Sequence, residues 1–296
     1  MCGIAGWIRQ GDEKLSKDEV KKILIELESR GKDATGIAWY DGKEVVILKS
    51  PGKASDFVKL KLFKKSLKSI CSARWALLHT RQATSGEPQY NRNNHPIYTK
   101  DGMIIHNGIV TPDEQLPADS VNDSEQILRA IEKWGLKGLN KLTGSMAIAY
   151  VDFARPWAFY LYRNYAPIET AYKGSIFLFC STDRILKRSI DGIDKPKSLE
   201  AYRVFKVKKN GITRLGKYGE GKFASGYQIW YGGKVYNPAE YYANFTADTR
   251  ARALRPVRAD TTMLDIDDDE EALAIGEYNK DLQLRSEIEE VGKVSC

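Results

Sequence analysis

Histidine and cysteine are scarce in this sequence, and their spacing excludes the common metal sites. The chain has three histidines and four cysteines. The cysteines stand at Cys2, Cys71, Cys180 and Cys296, without the close pairs of a zinc site or the density of a disulfide framework. The sequence therefore predicts no metal site, and nothing in it predicts a cofactor.

Long apolar runs are also missing. No stretch of about 18 apolar residues occurs, and the most apolar segment, residues 146–162, is interrupted by Asp152, Arg155 and Pro156. The amino terminus lacks the basic region and apolar core of a signal peptide. We therefore expect no membrane span and a cytoplasmic location.

Negative charge is concentrated at one end of the chain. Residues 256–296 hold four Lys or Arg and twelve Asp or Glu, a formal −8, which leaves +15 on residues 1–255 for a net charge of +7. A basic body attracts anions that an acidic tail can cover, and a solvated lysine-rich surface is an equally good explanation. No RNA- or DNA-binding signature accompanies the charge, so nucleic acid is not indicated. We expect a folded domain over residues 1–245 and a basic linker with an acidic tail over 246–296, disordered or docked on a partner.

Apolar periodicity predicts many short strands and few helices. Ser16 has the position of an N-cap for a helix that ends near Arg30. Asp41 and Gly42 predict a hairpin, a lysine-rich helix is expected over residues 55–68, and another helix begins around residues 122–125. Antiparallel strands with a few helices favour an α+β layered sandwich over an alternating βαβ chain.

Residues 80–96 are polar and show no period, with Gly86, Pro88 and a cluster of asparagines. A long loop inside a compact domain is more often a binding loop than a neutral connector. A short strand follows over residues 103–106, and Asn107 and Gly108 are expected to end it. The loop is therefore a candidate binding segment.

Cys2 is one processing step from being the amino terminus. Removal of Met1 would give Cys2 a thiol and a free α-amine, whose reference pKa of about 7.7 to 8.0 suits a general base. A neighbouring base raises the thiolate fraction of a cysteine. The alternative is an incidental buried thiol at the start of a strand. The first interpretation predicts an N-terminal nucleophile.

Six short motifs, taken in their order along the chain, resemble those of a known protein family. They are residues 2–6 (CGIAG), 30–36 (RGKDATG), 79–86 (HTRQATSG), 94–96 (NHP), 106–108 (HNG) and 123–125 (DSE). Together they resemble the class II glutamine amidotransferases, clearly over about residues 2–190 and weakly to about 240. The resemblance implies an N-terminal-nucleophile hydrolase with a four-layer αββα sandwich of two mainly antiparallel sheets. It also implies a glutaminase that releases glutamate and ammonia through a thioester.

The resemblance assigns the catalytic roles to Cys2, Asn107 and Gly108. Cys2 would attack the glutamine carboxamide, and its α-amine would carry the proton. The Asn107 side-chain amide and the Gly108 backbone N–H would stabilise the oxyanion. The alternative for this Asn-Gly pair is a plain tight turn, for which Ile109 and Val110 are a poor setting.

The resemblance also assigns substrate contacts. Arg81 offers a planar fork for the α-carboxylate, with an ordinary surface arginine as the alternative. Asp123 would pair with the α-ammonium. An ordinary helix N-cap is a strong alternative for Asp123, and both roles could hold at once. Thr84 and the backbone at Gly86 would complete the pocket wall.

Supporting roles fall on Arg30 and Gly36, which would position the segments around the terminus, and on Asp33, which would hydrogen-bond backbone. The three histidines are interpreted as packing or orienting residues, because the amine already serves as the base. Where family members often carry other residues, this chain has Lys32, Gln82 and Ser85. The last two lie in the loop that covers glutamine, so they bear on loop closure and on coupling to an acceptor.

Relatives in this family join the domain to a synthase that consumes the ammonia, and too little chain follows residue 240 for one. We therefore expect glutamine as substrate and a separate ammonia-accepting synthase subunit as partner, and a homo-oligomer stays open. A second interpretation is a catalytically silent structural or assembly subunit with a retained Met1. A third, hydrolysis of another amide, is disfavoured by Arg81 together with Asp123.

Overall fold

The computed structural model describes residues 1–84, 86–111, 115–116, 122–219, 229–231 and 234–236. They belong to a unit that spans Met1–Thr249. The linker and tail predicted over 246–296 lie outside the described residues, and so does Ser85. The fold below is therefore that of the predicted amidotransferase domain.

Strands dominate the described part of the chain, and neighbouring strands run antiparallel. They are β1 (Gly3–Arg9), β2 (Ala34–Tyr40), β3 (Val45–Pro51), β4 (Trp75–Arg81), β5 (Ile97–Tyr98), β6 (Gly102–Thr111), β7 (Thr143–Asp152), β8 (Ala158–Arg163), β9 (Glu169–Lys173), β10 (Ile176–Cys180), β11 (Lys197–Ser198), β12 (Arg203–Lys208), β13 (Gly211–Lys217), β14 (Ile229–Tyr231) and β15 (Lys234–Tyr236). One sheet has the order β11-β9-β10-β1-β4-β2-β3, and the other has the order β13-β12-β8-β7-β6-β5. Strands β14 and β15 pair with each other.

Helices fill the connections. They are α1 (Lys17–Leu27), α2 (Ala54–Phe57), α3 (Lys61–Ser72), α4 (Asp123–Trp134) and α5 (Asp183–Ser189), with 3₁₀ turns at Asn91–Asn93 and Gly135–Lys141. None of these described helices combines the length and apolar character that a membrane crossing needs. The cytoplasmic location stays a prediction.

Helices α1, α3 and α5 cover the outer face of the seven-stranded sheet. Helix α1 begins where the sequence predicts because Ser16 and Glu19 form a capping box. The N–H of Glu19 donates to Ser16 Oγ at 3.2 Å, and the N–H of Ser16 donates to Glu19 Oε2 at 2.8 Å. The apolar faces of the three helices join one buried cluster with the sheet.

Helix α4 covers the six-stranded sheet. Its buried residues Ile127, Leu128 and Ile131 cluster with Ile104 of β6 and Ile148 of β7. Their spacing of three and four residues places them on one face of the helix, which is the face that packs. The second sheet is therefore covered on its outer side as the first one is.

The two sheets meet through aromatic side chains. Trp75 of β4 lies edge-on to Phe159 of β8 with ring centroids 6.5 Å apart, and Phe159 packs on Phe179 of β10 at 5.6 Å. All three side chains are buried. The layers run helix, sheet, sheet, helix, which confirms the predicted αββα sandwich.

Two predicted elements are wrong in detail. The helix expected over residues 55–68 is broken at Leu60, which is extended (φ −54°, ψ 139°), so that α2 and α3 are separate. The break lets Phe57 and Phe63 pack together at 5.5 Å. The strand expected to end at Asn107 and Gly108 continues to Thr111, because β7 pairs with it along its whole length.

Candidate active site

Cys2 immediately precedes β1 in the sequence, and in the fold it lies beside the end of the neighbouring strand β4. In the ladder between these strands Gly3 pairs with Thr80, so Cys2 lies level with the last residues of β4. The backbone N–H of Gln82 donates to Cys2 Sγ at 3.4 Å, and Arg30 Nε donates to the Cys2 carbonyl at 2.9 Å. The Arg30 contact fits the supporting role predicted for it.

The surroundings of Cys2 change the acidity of its thiol. Burial raises the pKa of the Cys2 thiol above its ordinary value, and the hydrogen bond from Gln82 opposes this with a smaller effect. Burial also lowers the pKa of the amino-terminal amine, which Met1 carries here. Burial thus favours the neutral form of both groups.

Arg81 is buried and its guanidinium is held at two points. Nη1 donates to Asn94 Oδ1 and Nη2 donates to the Gly86 carbonyl, both at 2.9 Å. Asn94 is itself fully buried, and its Nδ2 donates to the Pro88 carbonyl at 2.6 Å. The alternative of an ordinary surface arginine is therefore wrong.

Asp123 is the first residue of α4, and its neighbour caps the helix. Asn122 Oδ1 accepts the Glu125 N–H at 3.0 Å, so the alternative in which Asp123 is the N-cap is wrong. Asp123 Oδ2 instead accepts the N–H of Val110 in β6 at 3.1 Å. This bond fixes the carboxylate beside the strand that carries Asn107 and Gly108.

Asn107 and Gly108 lie inside β6. The Asn107 side chain is 1% exposed, and its Nδ2 has no hydrogen-bond partner among the described residues. Gly108 has φ +147°, and a Cβ built on it would lie 1.9 Å from the Ser145 carbonyl oxygen of β7. Only glycine fits at position 108, because of both its φ and the closeness of β7.

These elements surround one cleft with about 300 Å³ of open space. Five of the residues predicted from the sequence line it: Cys2, Arg81, Thr84, Gly108 and Asp123. Gln82, His95, His106, Asn122 and Ser124 complete the described lining. A thiol, a guanidinium and a carboxylate therefore face the same small volume.

Four predicted residues do not line the cleft. Asn107 is buried next to Gly108, and Gly86 contributes its carbonyl to Arg81. Arg30 contacts the Cys2 backbone. Gly36 lies beneath residue 95, since a Cβ there would be 2.0 Å from that residue's carbonyl oxygen.

The three histidines form a buried group, of which His95 and His106 line the cleft. His79 and His95 stack with centroids 4.0 Å apart, and His79 Nε2 lies 3.0 Å from the His106 carbonyl oxygen. Burial lowers the pKa of all three, that of His79 to about 3. Burial therefore favours the neutral form of all three, which fits the packing role predicted for them.

Sequence reasoning assigned no role to Asn94 or to the backbone of Gln82. The asparagine cluster at residues 91–94 was a signal for Asn94, whereas a main-chain N–H leaves no signal in a sequence. Asp33 was expected to hydrogen-bond backbone, and its Oδ2 accepts the Ala83 N–H at 2.7 Å. The same oxygen accepts from the Gln82 side chain at 3.1 Å.

Curated relatives of this chain carry the name glutamine–fructose-6-phosphate aminotransferase (isomerizing). The protein from Bacillus spizizenii is 31% identical over an alignment of 188 residues, which covers 57% of this chain and 30% of the relative. The one from Pyrobaculum aerophilum is 32% identical over 190 residues, with shares of 57% and 30%. The one from Listeria monocytogenes is 29% identical over 238 residues, with shares of 72% and 36%. No protein-family model matches the chain.

The names of these relatives contain glutamine, the substrate that the six motifs predict. The chain contains a class II glutamine amidotransferase domain. It spans about a third of the length of the curated relatives it matches.

Solved structures share the fold of this glutamine amidotransferase domain. Glutamine phosphoribosylpyrophosphate amidotransferase from B. subtilis, complexed with ADP and GMP, matches with a TM-score of 0.58 at 17% identity, over 72% of this chain and 49% of that chain. A structure described as the allosteric regulatory enzyme of purine biosynthesis has the same TM-score and identity, over 72% and 48%. At this identity the likeness concerns the fold alone.

Proposed function

We propose that this domain hydrolyses the side-chain amide of glutamine to glutamate and ammonia, with Cys2 as the nucleophile. The observation that carries the proposal is a single cleft lined by a thiol, a buried guanidinium and a carboxylate. Free glutamine presents an amide, an α-carboxylate and an α-ammonium, and each of the three protein groups complements one of them. An amide within a protein chain has no free α-carboxylate or α-ammonium beside it, so a site for such an amide would not need both the guanidinium and the carboxylate.

Removal of Met1 gives Cys2 its own α-amine, which takes the thiol proton. The thiolate then attacks the carboxamide carbon and forms a C–S bond, and the negative charge moves to the amide oxygen. The Asn107 amide and the Gly108 N–H receive this oxyanion. The buried, unpartnered Nδ2 of Asn107 supports its part, because a buried donor without a partner is costly unless a ligand completes it.

The oxyanion collapses and breaks the C–N bond, and the amine returns its proton to the leaving nitrogen. Ammonia departs and a thioester to Cys2 remains. Water then attacks the thioester carbon, with the amine again taking a proton, and glutamate and the thiol are released. The raised pKa of the Cys2 thiol supports the need for this base.

Substrate binding falls to Arg81, Asp123, Thr84 and Gly86. Arg81 takes the α-carboxylate, and its two fixed hydrogen bonds limit the entropy lost when glutamine binds. Asp123 takes the α-ammonium from the start of α4. Thr84 forms part of the cleft wall, and the Gly86 carbonyl acts indirectly by holding Arg81.

The ammonia passes to an acceptor, which we propose to be a separate synthase subunit. The relatives are named for a fructose-6-phosphate acceptor, and nothing in the described residues identifies the acceptor of this chain. Affinity purification of chains with and without residues 246–296 tests the proposed docking of the tail. Recovery of no ammonia-consuming enzyme with the tail intact contradicts it.

Glutamate release from glutamine is the test of the hydrolysis. Wild type should be active, Cys2→Ala inactive and Cys71→Ala active, because Cys71 is buried in the cluster under the helices, away from the cleft. Intact-mass measurement should show a chain lacking one methionine. A retained Met1 with equal rates for wild type and Cys2→Ala supports the silent structural subunit instead.

A further inference from the structure

Lys49 of β3 takes no part in the mechanism above, yet it is bonded to the segment behind Arg81. Its Nζ donates to the Asn94 carbonyl and to the Pro96 carbonyl, both at 2.9 Å. Desolvation is what lowers the pKa of its ammonium, to about 7, and no described carboxylate offsets it. Two main-chain carbonyls are thus the polar partners of this cation.

The sheet register explains why Lys49 reaches both carbonyls. Gly36 of β2 pairs with Lys49 of β3, and a Cβ on Gly36 would lie 2.0 Å from the His95 carbonyl oxygen. Residues 94–96 therefore cross directly over Gly36. Lys49 binds the carbonyls on either side of the one that rests on the glycine.

The same segment supplies a fixed hydrogen bond to the guanidinium. Asn94 is fully buried, and its Oδ1 accepts from Arg81 Nη1 at 2.9 Å. The main-chain carbonyl of Asn94 is bound by Lys49, so one residue links the ammonium to the guanidinium. A shift of the Asn94 backbone would move the acceptor that orients Arg81.

We propose that Lys49 is a positioning residue for glutamine: it holds residues 94–96 against β2 so that Asn94 aims Arg81 at the α-carboxylate. The inference rests on the proposed function, because it assumes that Arg81 binds that carboxylate. It predicts an effect on substrate binding that depends on the substrate carrying an α-carboxylate. Replacing a purely structural lysine would affect substrates with and without an α-carboxylate equally.

The test compares Lys49→Met with wild type on two substrates. Methionine keeps the length of the side chain and removes the donors. With glutamine, KM should rise on the order of tenfold, equivalent to about 1.4 kcal/mol, with kcat little changed. With glutamine α-methyl ester, which lacks the carboxylate, the variant and wild type should have nearly equal kcat/KM.

Two variants serve as controls. Lys64→Met removes an exposed lysine of α3 and should leave both substrates unaffected. Lys49→Arg keeps donors for the two carbonyls and should recover most of the glutamine KM. If Lys49→Met does not fold, Lys49→Gln is measured in its place with the same expected difference between substrates.

An equal loss on glutamine and on its ester overturns the inference, and so does an unchanged glutamine KM. Either result leaves the proposed function standing, provided that wild type releases glutamate and Cys2→Ala does not. A wild type without glutaminase activity refutes the proposed function itself. The two failures are therefore distinguishable.

Discussion

Replacement of Gly108 by alanine tests the geometry of the proposed oxyanion site. The added Cβ would lie 1.9 Å from the Ser145 carbonyl oxygen and 2.8 Å from His106 Nε2, whereas real Cβ atoms essentially never approach other atoms within 3.0 Å. β6 and β7 must therefore separate by about 1 Å. The backbone at φ +147° adds a strain of its own.

The expected cost is the sum of these two effects. Overpacking costs about 1–3 kcal/mol, and a left-handed φ in a residue other than glycine costs about 1–3 kcal/mol. We expect Gly108→Ala to lower the free energy of unfolding by about 2–6 kcal/mol, which is large for one substitution. Urea unfolding followed by circular dichroism measures it.

Gly42→Ala is the matched control. Gly42 also has a positive φ, +109°, and a Cβ there would meet nothing within 4 Å. Gly42→Ala should cost only the backbone strain, about 1–3 kcal/mol. Equal losses in the two variants would refute the steric argument, because only Gly108 faces a neighbouring strand.

The kcat for glutamine gives a second comparison of Gly108→Ala with Gly42→Ala. Oxyanion donors act at about 2.7–3.1 Å, and loss of one lowers kcat by about 10²–10³. A shift of about 1 Å takes the Gly108 N–H out of that range, so Gly108→Ala should lose this factor while Gly42→Ala keeps full activity. A folded Gly108→Ala enzyme with normal kcat would remove Gly108 from the mechanism.

Two further predictions concern Arg81 and His79. Arg81→Lys should raise the glutamine KM at least about tenfold, because one ammonium cannot keep the bonds to Asn94 and Gly86 and still offer a fork to the substrate. Steady-state kinetics measures this with exposed Arg92→Lys as control, and equal KM values for the two variants contradict it. His79 has a folded pKa of about 3 against an ordinary 6.5, so the unfolded chain binds its proton first as the pH falls. Its contribution to stability is complete above pH 6.5 and declines toward pH 3 by up to about 1.4 kcal/mol per pH unit. Urea unfolding measures the free energy of unfolding at pH 7 and at pH 5. Between these two pH values, His79→Gln should lose less stability than wild type, and identical losses would contradict the burial argument.

Local signals in the sequence were reliable where the interactions are local. Ser16 and Glu19 predicted the start of α1 because a capping box involves residues three apart. Asp41 and Gly42 predicted the β2–β3 hairpin because a tight turn also involves only neighbouring residues. Both predictions needed only near neighbours in the chain.

Predictions failed where residues distant in the sequence determine the local structure. Asn107 and Gly108 have the sequence of a turn, yet the ladder with β7 keeps them in a strand. The short, partly polar β9 and β13 were not predicted, because their pairing with β10 and β12 outweighs their weak apolar pattern. Cross-strand pairing is invisible to a reading of one segment at a time.

The sequence by itself determined which residue types are available and in what order: a cysteine at position 2, a loop with Arg81, an Asn-Gly pair and an acidic helix start. These follow from chemistry that each short motif carries alone. Only the tertiary structure decided that Asn94 Oδ1 accepts from the Arg81 guanidinium and that Lys49 binds the Asn94 carbonyl. Those contacts join residues brought together by sheet register and by packing between layers, and no local pattern encodes such distances.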